Sequence, residues 1–232
     1  MAPYEISPNC TVADAKGIAS CNVSAYWKET WWRLLWPEKT PESLVEAIAA
    51  RTPRNLLQMR GLRRHQKVKD AASGEIVGYA RWVLPDSHDD KWLEAQTPDV
   101  DDAAKAKFKS DFEGADYEPR DDMDEMDDHM WEWRSKYDRD DCLELEYLAV
   151  HADHSRKGVG SMLVQSGVQV ASKLGLDIIV IAMGKNAFEL FSKAGFELLE
   201  KESQDLSAYR EQDVYETYYL IKRPTKDTEG SK

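Results

Sequence analysis

From the N-terminus onward, the apolar positions change period several times between about 3.6, the helical spacing, and about 2, the strand spacing. Tyr4 to Ile6 reads as a short strand. Thr11 to Lys28 opens on a capping threonine and carries Ala, Ile, Val and aromatic residues at helical spacing. Pro41 to Met59 has Pro at a helix start, with Leu44, Val45, Ile48 and Ala49 on one stripe. Gln66 to Ala71 and Glu75 to Leu84 read as two strands joined by a turn at Ser73-Gly74.

After position 141 the pattern predicts strand, helix, strand, helix, strand, strand. The segments are Cys142 to Val150, Gly160 to Leu174, Asp177 to Met183, Asn186 to Lys193, Gly195 to Lys201 and Val214 to Lys222. Asp177 to Met183 (DIIVIAM) is apolar almost throughout, as suits a strand covered on both faces. The fold class expected is α/β (α+β), and no internal repeat interrupts it.

Charge changes this picture in one place. The net charge is −12. Residues 86–141 hold 21 acidic against 8 basic side chains, so the remainder is close to neutral. The expectation is a single domain, 1–232, with an acidic insertion at about 86–140 before the fourth strand. Two stretches of the insertion look helical, Asp101 to Phe112 and Asp121 to Trp133. The acidity argues against nucleic-acid or anionic-membrane binding through a basic surface. The polar N-terminus, MAPYEISPNC, suggests no signal peptide or membrane span, and a cytoplasmic location is expected. Cys10, Cys21 and Cys142 are scattered and odd in number, which fits neither a disulfide framework nor a structural zinc. His88, His129, His151 and His154 read as surface residues. Asp121 to Asp128 with His129 lacks the spacing of a calcium loop and reads as a solvated charge run, so no metal is expected.

The sharpest local signal follows the strand Cys142 to Val150, where Arg156-Lys157-Gly158-Val159-Gly160-Ser161 opens an apolar-periodic helix. Paired glycines let the backbone approach a bulky anion, and the helix N-terminus turns amides and a favourable dipole toward it. Arg156 and Lys157 add positive charge there. It is neither a Walker loop nor a dinucleotide fingerprint. Taken alone it reads equally as a tight strand-to-helix turn.

LEYLAVHADHSRKGVGSMLV resembles the acetyl-CoA-binding motif of the GNAT superfamily of N-acetyltransferases. Downstream, AFELFSKAGF (Ala187 to Phe196) resembles that superfamily's second landmark. The likeness is strong over Leu143 to Glu200 and extends as element order to the rest of the chain outside the insertion. It implies a mixed sheet of about seven strands, flanked by helices and splayed into a V between Cys142–Val150 and Asp177–Met183. It implies an acetyl-CoA site in which Leu148, Ala149 and Val150 hold the pantetheine arm and the acyl carbonyl. Ser155, Arg156, Lys157, Gly158, Val159, Gly160 and Ser161 would cradle the pyrophosphate, with Asn186 and Phe191 beside the thiol. Two departures stand out: Ser155 occupies a position usually held by Gln or Arg, and Phe191 replaces the family's tyrosine.

Glu144 and Glu146, two apart on a strand, should share a face opposite Leu143, Leu145 and Tyr147. In the resembled family a glutamate on this strand often serves as general base, so both are candidates; the alternative is a pair of polar residues on a solvated sheet face. Trp31, Trp32 and Trp36 read either as packing or as the wall of an acceptor site. The function expected is acetyl transfer to a primary amine of a small cationic or aromatic molecule, by a monomer or homodimer. Transfer to protein lysines or N-termini, and non-catalytic acyl-CoA binding, are the other two readings.

Overall fold

The computed structural model describes residues 3–137, 141–209, 211 and 213–224. A seven-stranded mixed sheet runs through it in the order β1-β2-β3-β4-β5-β7-β6. The strands are β1 Tyr4–Ser7, β2 Arg63–Asp70, β3 Ile76–Val83, β4 Cys142–Val150, β5 Asp177–Met183, β6 Glu197–Asp205 and β7 Val214–Lys222. The β4–β5 pair is parallel and every other pair is antiparallel. The helices are α1 Ala15–Tyr26, α2 Thr30–Leu34, α3 Pro41–Leu57, α4 Asp102–Glu113, α5 Asp128–Tyr137, α6 Val159–Leu174 and α7 Lys185–Lys193. Among the described residues no helix is long and apolar enough to cross a membrane.

The predicted elements are present, with shifted ends. Strand β2 begins at Arg63 rather than Gln66, because Arg63, Arg64 and His65 pair with β3 although their side chains are polar. Arg64 is fully buried and donates to the carbonyls of Gly61 (2.9 Å), Asp89 (2.6 Å) and Lys91 (3.0 Å from Nε). That fork ties the start of the insertion to the sheet. The acidic run is not simply solvated: Met123, Met130 and Trp133 are buried, and α5 packs on Cys142, Ile179, Tyr219 and Ile221. His129 and His154 are likewise anchored, at 2.6 Å to Thr217 Oγ1 and 3.0 Å to the Tyr4 hydroxyl.

Two layers of helix cover the sheet. Helices α6 and α7 bury Leu163, Val164 and Phe191 against Leu143, Leu145, Ile178 and Val180. Helix α5 packs on the opposite face, through residues of β4 and β5 that alternate with these. There α1 meets Tyr79 and Tyr147 through Ile18.

Strands β4 and β5 pair only from Cys142↔Asp177 to Leu145↔Val180. Beyond Leu145, β4 continues against β3, and beyond Val180, β5 continues against β7. The sheet therefore opens into a V in the middle of two apolar strands. A β-bulge sits at the same place: Arg81 pairs with Tyr147 and Trp82 with Leu145, which leaves Glu146 as the extra residue. The bulge corrects the simple alternation expected for β4. Glu146 and Tyr147 both turn toward the α1 side, so Tyr147 joins the glutamate face instead of the Leu143–Leu145 face.

Candidate active site

The splay of β4 from β5 forms a cavity of about 410 Å³. Helix α1, the α2 segment, β4, β5 and α7 each contribute to its wall. Of the residues singled out from sequence, Trp31, Trp32, Trp36, Glu146, Leu148, Val150, Asn186 and Phe191 line it together. Glu144 does not. Its carboxylate pairs with Arg134 of α5, on the far side of the strand's paired half.

The backbone of β4 is available at the opening. The His151 amide donates to Val77 O at 2.9 Å, and the antiparallel pattern then directs Ala149 and Tyr147 toward β3. The peptide groups of Leu148 and Val150 are thereby turned into the V. One of them is already engaged: Leu148 O accepts from the Tyr26 hydroxyl at 2.5 Å.

A second cavity of about 340 Å³ continues from Val150 to the start of α6, lined by Ser155, Arg156, Gly158, Gly160, Ser161 and Asn186 among others. The two glycines serve different ends. Gly158 holds φ at 89°, the left-handed region, and a Cβ built on it meets nothing within 4 Å. The space in front of it is open, and among the described residues no side chain caps the first turn of α6. The amides at the head of this helix are therefore free for an anion. Gly160 instead allows close packing, since a Cβ there would stand 3.1 Å from Leu190 Cδ2 of α7. Arg156, itself at φ 60°, reaches across to donate to Asn186 Oδ1 at 2.8 Å and lies 3.4 Å from Glu189. Ala149, Lys157 and Val159 do not line either cavity; Ala149 and Val159 are buried and Lys157 is exposed. This cradle fits a pyrophosphate, and the apolar V beside it fits a pantetheine arm.

Glu146 is held by two guanidiniums: its Oε1 accepts from Arg63 Nη2 at 2.7 Å, and Arg81 Nε lies 2.7 Å from Oε2. Another carboxylate in the same cavity has no such clamp among the described residues. Glu29, at the N-terminus of α2, is half-buried among Tyr26, Trp31 and Trp32. Burial raises its pKa above the usual carboxylate range, and Asp213 nearby raises it further. The reading of the sequence missed Glu29, although its place between Trp27 and Trp31-Trp32 puts a carboxylate in an aromatic run, a detectable signal. It also missed Tyr26, Tyr117 and Tyr147, which line the cavity with the tryptophans. Phe191 is buried, with its ring centroid 5.3 Å from that of Phe196.

Residues 115–196 match the family model described as the acetyltransferase (GNAT) family. No curated protein matches the chain in sequence. Among solved structures, the chain is similar to a histone acetyltransferase HPA2 and related acetyltransferase from Corynebacterium glutamicum (19% identity, 97% of this chain and 99% of that one, TM-score 0.57). It is similar to the polyamine N-acetyltransferase of Drosophila melanogaster (14%, 95% and 99%, TM-score 0.55). A mosquito arylalkylamine N-acetyltransferase like 5b superposes with a TM-score of 0.52 at 14% identity, over 95% and 99% of the two chains. The V-shaped opening, the uncapped helix head and the match of residues 115–196 to the GNAT model agree: the chain has the fold of the acetyltransferases it superposes on, and its 115–196 segment is similar to the GNAT family.

Proposed function

We propose that the protein is an acetyl-CoA-dependent N-acetyltransferase that acts on a small primary amine with an aromatic or apolar body. The observation that carries this reading is Glu29: a carboxylate with no arginine clamp among the described residues, half-buried at the wall of the aromatic cavity that opens between β4 and β5. When bound, acetyl-CoA supplies an activated thioester. The amides of Val159, Gly160 and Ser161, with Arg156, would hold its pyrophosphate, and Leu148 and Val150 would line its arm.

An amine enters as its ammonium ion and must lose a proton before it can attack. Glu29 receives that proton, directly or through a water, and its raised pKa makes it a stronger base than an exposed carboxylate. The indole and phenol rings of Trp31, Trp32 and Tyr26 exclude water and favour a cation over their faces. Phe191 offers no proton, so the departing thiolate leaves unprotonated by that residue, as a good leaving group can. The insertion supports a small acceptor rather than a protein tail. Its Tyr117 forms part of the cavity wall, with its ring centroid 5.1 Å from that of Trp36.

The test is thiol release from acetyl-CoA across a panel of primary amines, with Glu29→Gln alongside. Release with the wild type that falls at least a hundredfold in the variant is expected (general base loss costs about 10²–10⁴). Acetyl-CoA binding without release from any amine would reduce the protein to a binding module.

A further inference from the structure

A second chamber adjoins the acceptor cavity, and acetyl transfer as described makes no use of it. It encloses about 220 Å³ between α1, α3 and the sheet, and its polar lining includes Asn22, Arg51, Asn55 and Arg81. Trp32, Tyr117 and Tyr147 line both chambers and form their common boundary.

The charge in this chamber is one-sided. Among the described residues its lining contains two guanidiniums, Arg51 and Arg81, and no carboxylate. Glu146, the counter-ion of Arg81, is shared with Arg63, so three guanidiniums meet one carboxylate around this space. Arg51 has its Cζ 3.7 Å from the Phe112 ring centroid and 4.3 Å from that of Tyr117. Ring faces hold a guanidinium in place but do not neutralise it. Behind the chamber, the buried imidazole of His65 is pushed down to about 3, first by burial and then by Arg81, Arg63 and Arg64. It stays neutral, as expected in a positive potential.

The other buried polar group points the same way. Asn22 is only 9% exposed, and its Oδ1 is buried without a hydrogen-bond partner among the described residues. A flip of the side-chain amide would present its NH₂ to an anion. A planar carboxylate matches the guanidinium fork, and Arg51, which is partly buried, offers one.

We propose that this chamber is a second anchor for the acceptor, taking the carboxylate of an amine whose amino and carboxylate groups stand at opposite ends of an aromatic or aliphatic spacer. The amino end rests on the acetyl-transfer reading; the carboxylate end is tested by binding alone.

The experiment compares 4-(aminomethyl)benzoate with 4-(aminomethyl)benzamide and benzylamine, and 6-aminohexanoate with hexylamine, which reaches further. Thermal unfolding measures binding, and thiol release from acetyl-CoA measures turnover. In at least one series the carboxylate-bearing member should raise Tm where its neutral-tailed partners do not. Its kcat/KM should exceed theirs on the order of tenfold or more, as expected for a charged hydrogen bond. Both ratios should fall toward one in Arg51→Met, which keeps the packing stem, and in Asn22→Asp, which is isosteric and places an anion in the chamber. Equal Tm shifts and equal kcat/KM across both series would overturn the proposal. Benzoate that raises Tm without competing with benzylamine turnover would also overturn it, since the chamber would then take a free anion. If no amine releases thiol but the Tm preference persists and is lost in both variants, the carboxylate site stands and the transfer reading falls.

Discussion

Arg63 Nη2 donates to Glu146 Oε1 at 2.7 Å, from a strand two places away in the sheet. The side chains are 10% and 22% exposed, and Arg81 holds the other oxygen. A carboxylate bound at both oxygens, at a bulge, is a structural joint between β2, β3 and β4. Removing it strands one buried guanidinium, Arg63, and one mostly buried, Arg81. Glu146→Gln should therefore cost about 2–3 kcal/mol of stability, below the 3–5 of a fully buried pair because water reaches this one. The Tm measured by calorimetry should drop, while kcat measured well below that Tm loses less than the ~10² a missing general base would remove. A stable but inactive Glu146→Gln would return the base to β4.

Glu29 should show the opposite pattern. Its pKa is raised by burial, helped by Asp213, so its ionised form is less stable in the folded protein than in the unfolded chain. A carboxyl shifted this way contributes stability below its unfolded pKa and loses it as pH rises through the window up to the folded value. At neutral pH that contribution has gone, so Glu29→Gln should be as stable as the wild type or slightly more so. Its kcat should nonetheless fall by about 10²–10⁴. Below the amine's own ionisation, wild-type kcat/KM should rise with pH through a step above the ordinary carboxylate range, and the variant should lack that step. Loss of Tm in Glu29→Gln, or an unchanged pH profile, would remove Glu29 from this role.

These two glutamates also mark the limits of what the sequence discloses. The strand-helix order after position 141 was legible because β4, β5, α6 and α7 bury continuous apolar faces, and Gly158 and Arg156 marked in the sequence the turn where a cavity opens at the head of α6. Polar residues concealed the rest. Arg63 to Gln66 are buried through ladder pairing and side-chain hydrogen bonds that hydropathy does not register. The bulge that brings Tyr147 to the Glu146 face shifts a period by one residue and leaves no mark in composition. Glu29 matters through Trp31, Trp32 and Asp213, the last of which lies far from it along the chain.

The two glycines of the cradle should separate in experiment. At Gly158, φ is 89° and the Cβ site is open, so Gly158→Ala pays only for backbone strain, about 1–2 kcal/mol. Gly158→Asp adds an anion facing the uncapped amides of α6 and should abolish binding of CoA measured by calorimetric titration. At Gly160 the backbone is ordinary, but the Cβ site is 3.1 Å from Leu190. Gly160→Val should force α6 and α7 apart and lower Tm by overpacking, about 1–3 kcal/mol. Unchanged CoA affinity in Gly158→Asp would contradict the assignment of the cradle.

The insertion reaches the proposed acceptor cavity through Tyr117 rather than through its acidic run. None of the residues from Asp121 to Asp128 lines the cavity, and Asp122 is paired with Arg120. Asp127 does reach toward the site, 3.2 Å from the Tyr215 hydroxyl, and Tyr215 packs on Trp31 with centroids 5.2 Å apart. Tyr117, by contrast, touches Trp36, lies under Arg51 and lines both chambers. Its loss removes a wall of roughly 150–250 Å² of aromatic surface. Tyr117→Ala should raise the acceptor KM on the order of tenfold or more while the dissociation constant for CoA is unchanged, because the cradle lies at the other end of the V. Neutralising Asp121, Asp124 and Asp128 together should move the acceptor KM less than Tyr117→Ala does, and only at low salt, where distant surface charge still steers a cation. A larger effect from the acidic run than from Tyr117 would mean that the insertion selects its amine by charge at a distance and not by contact.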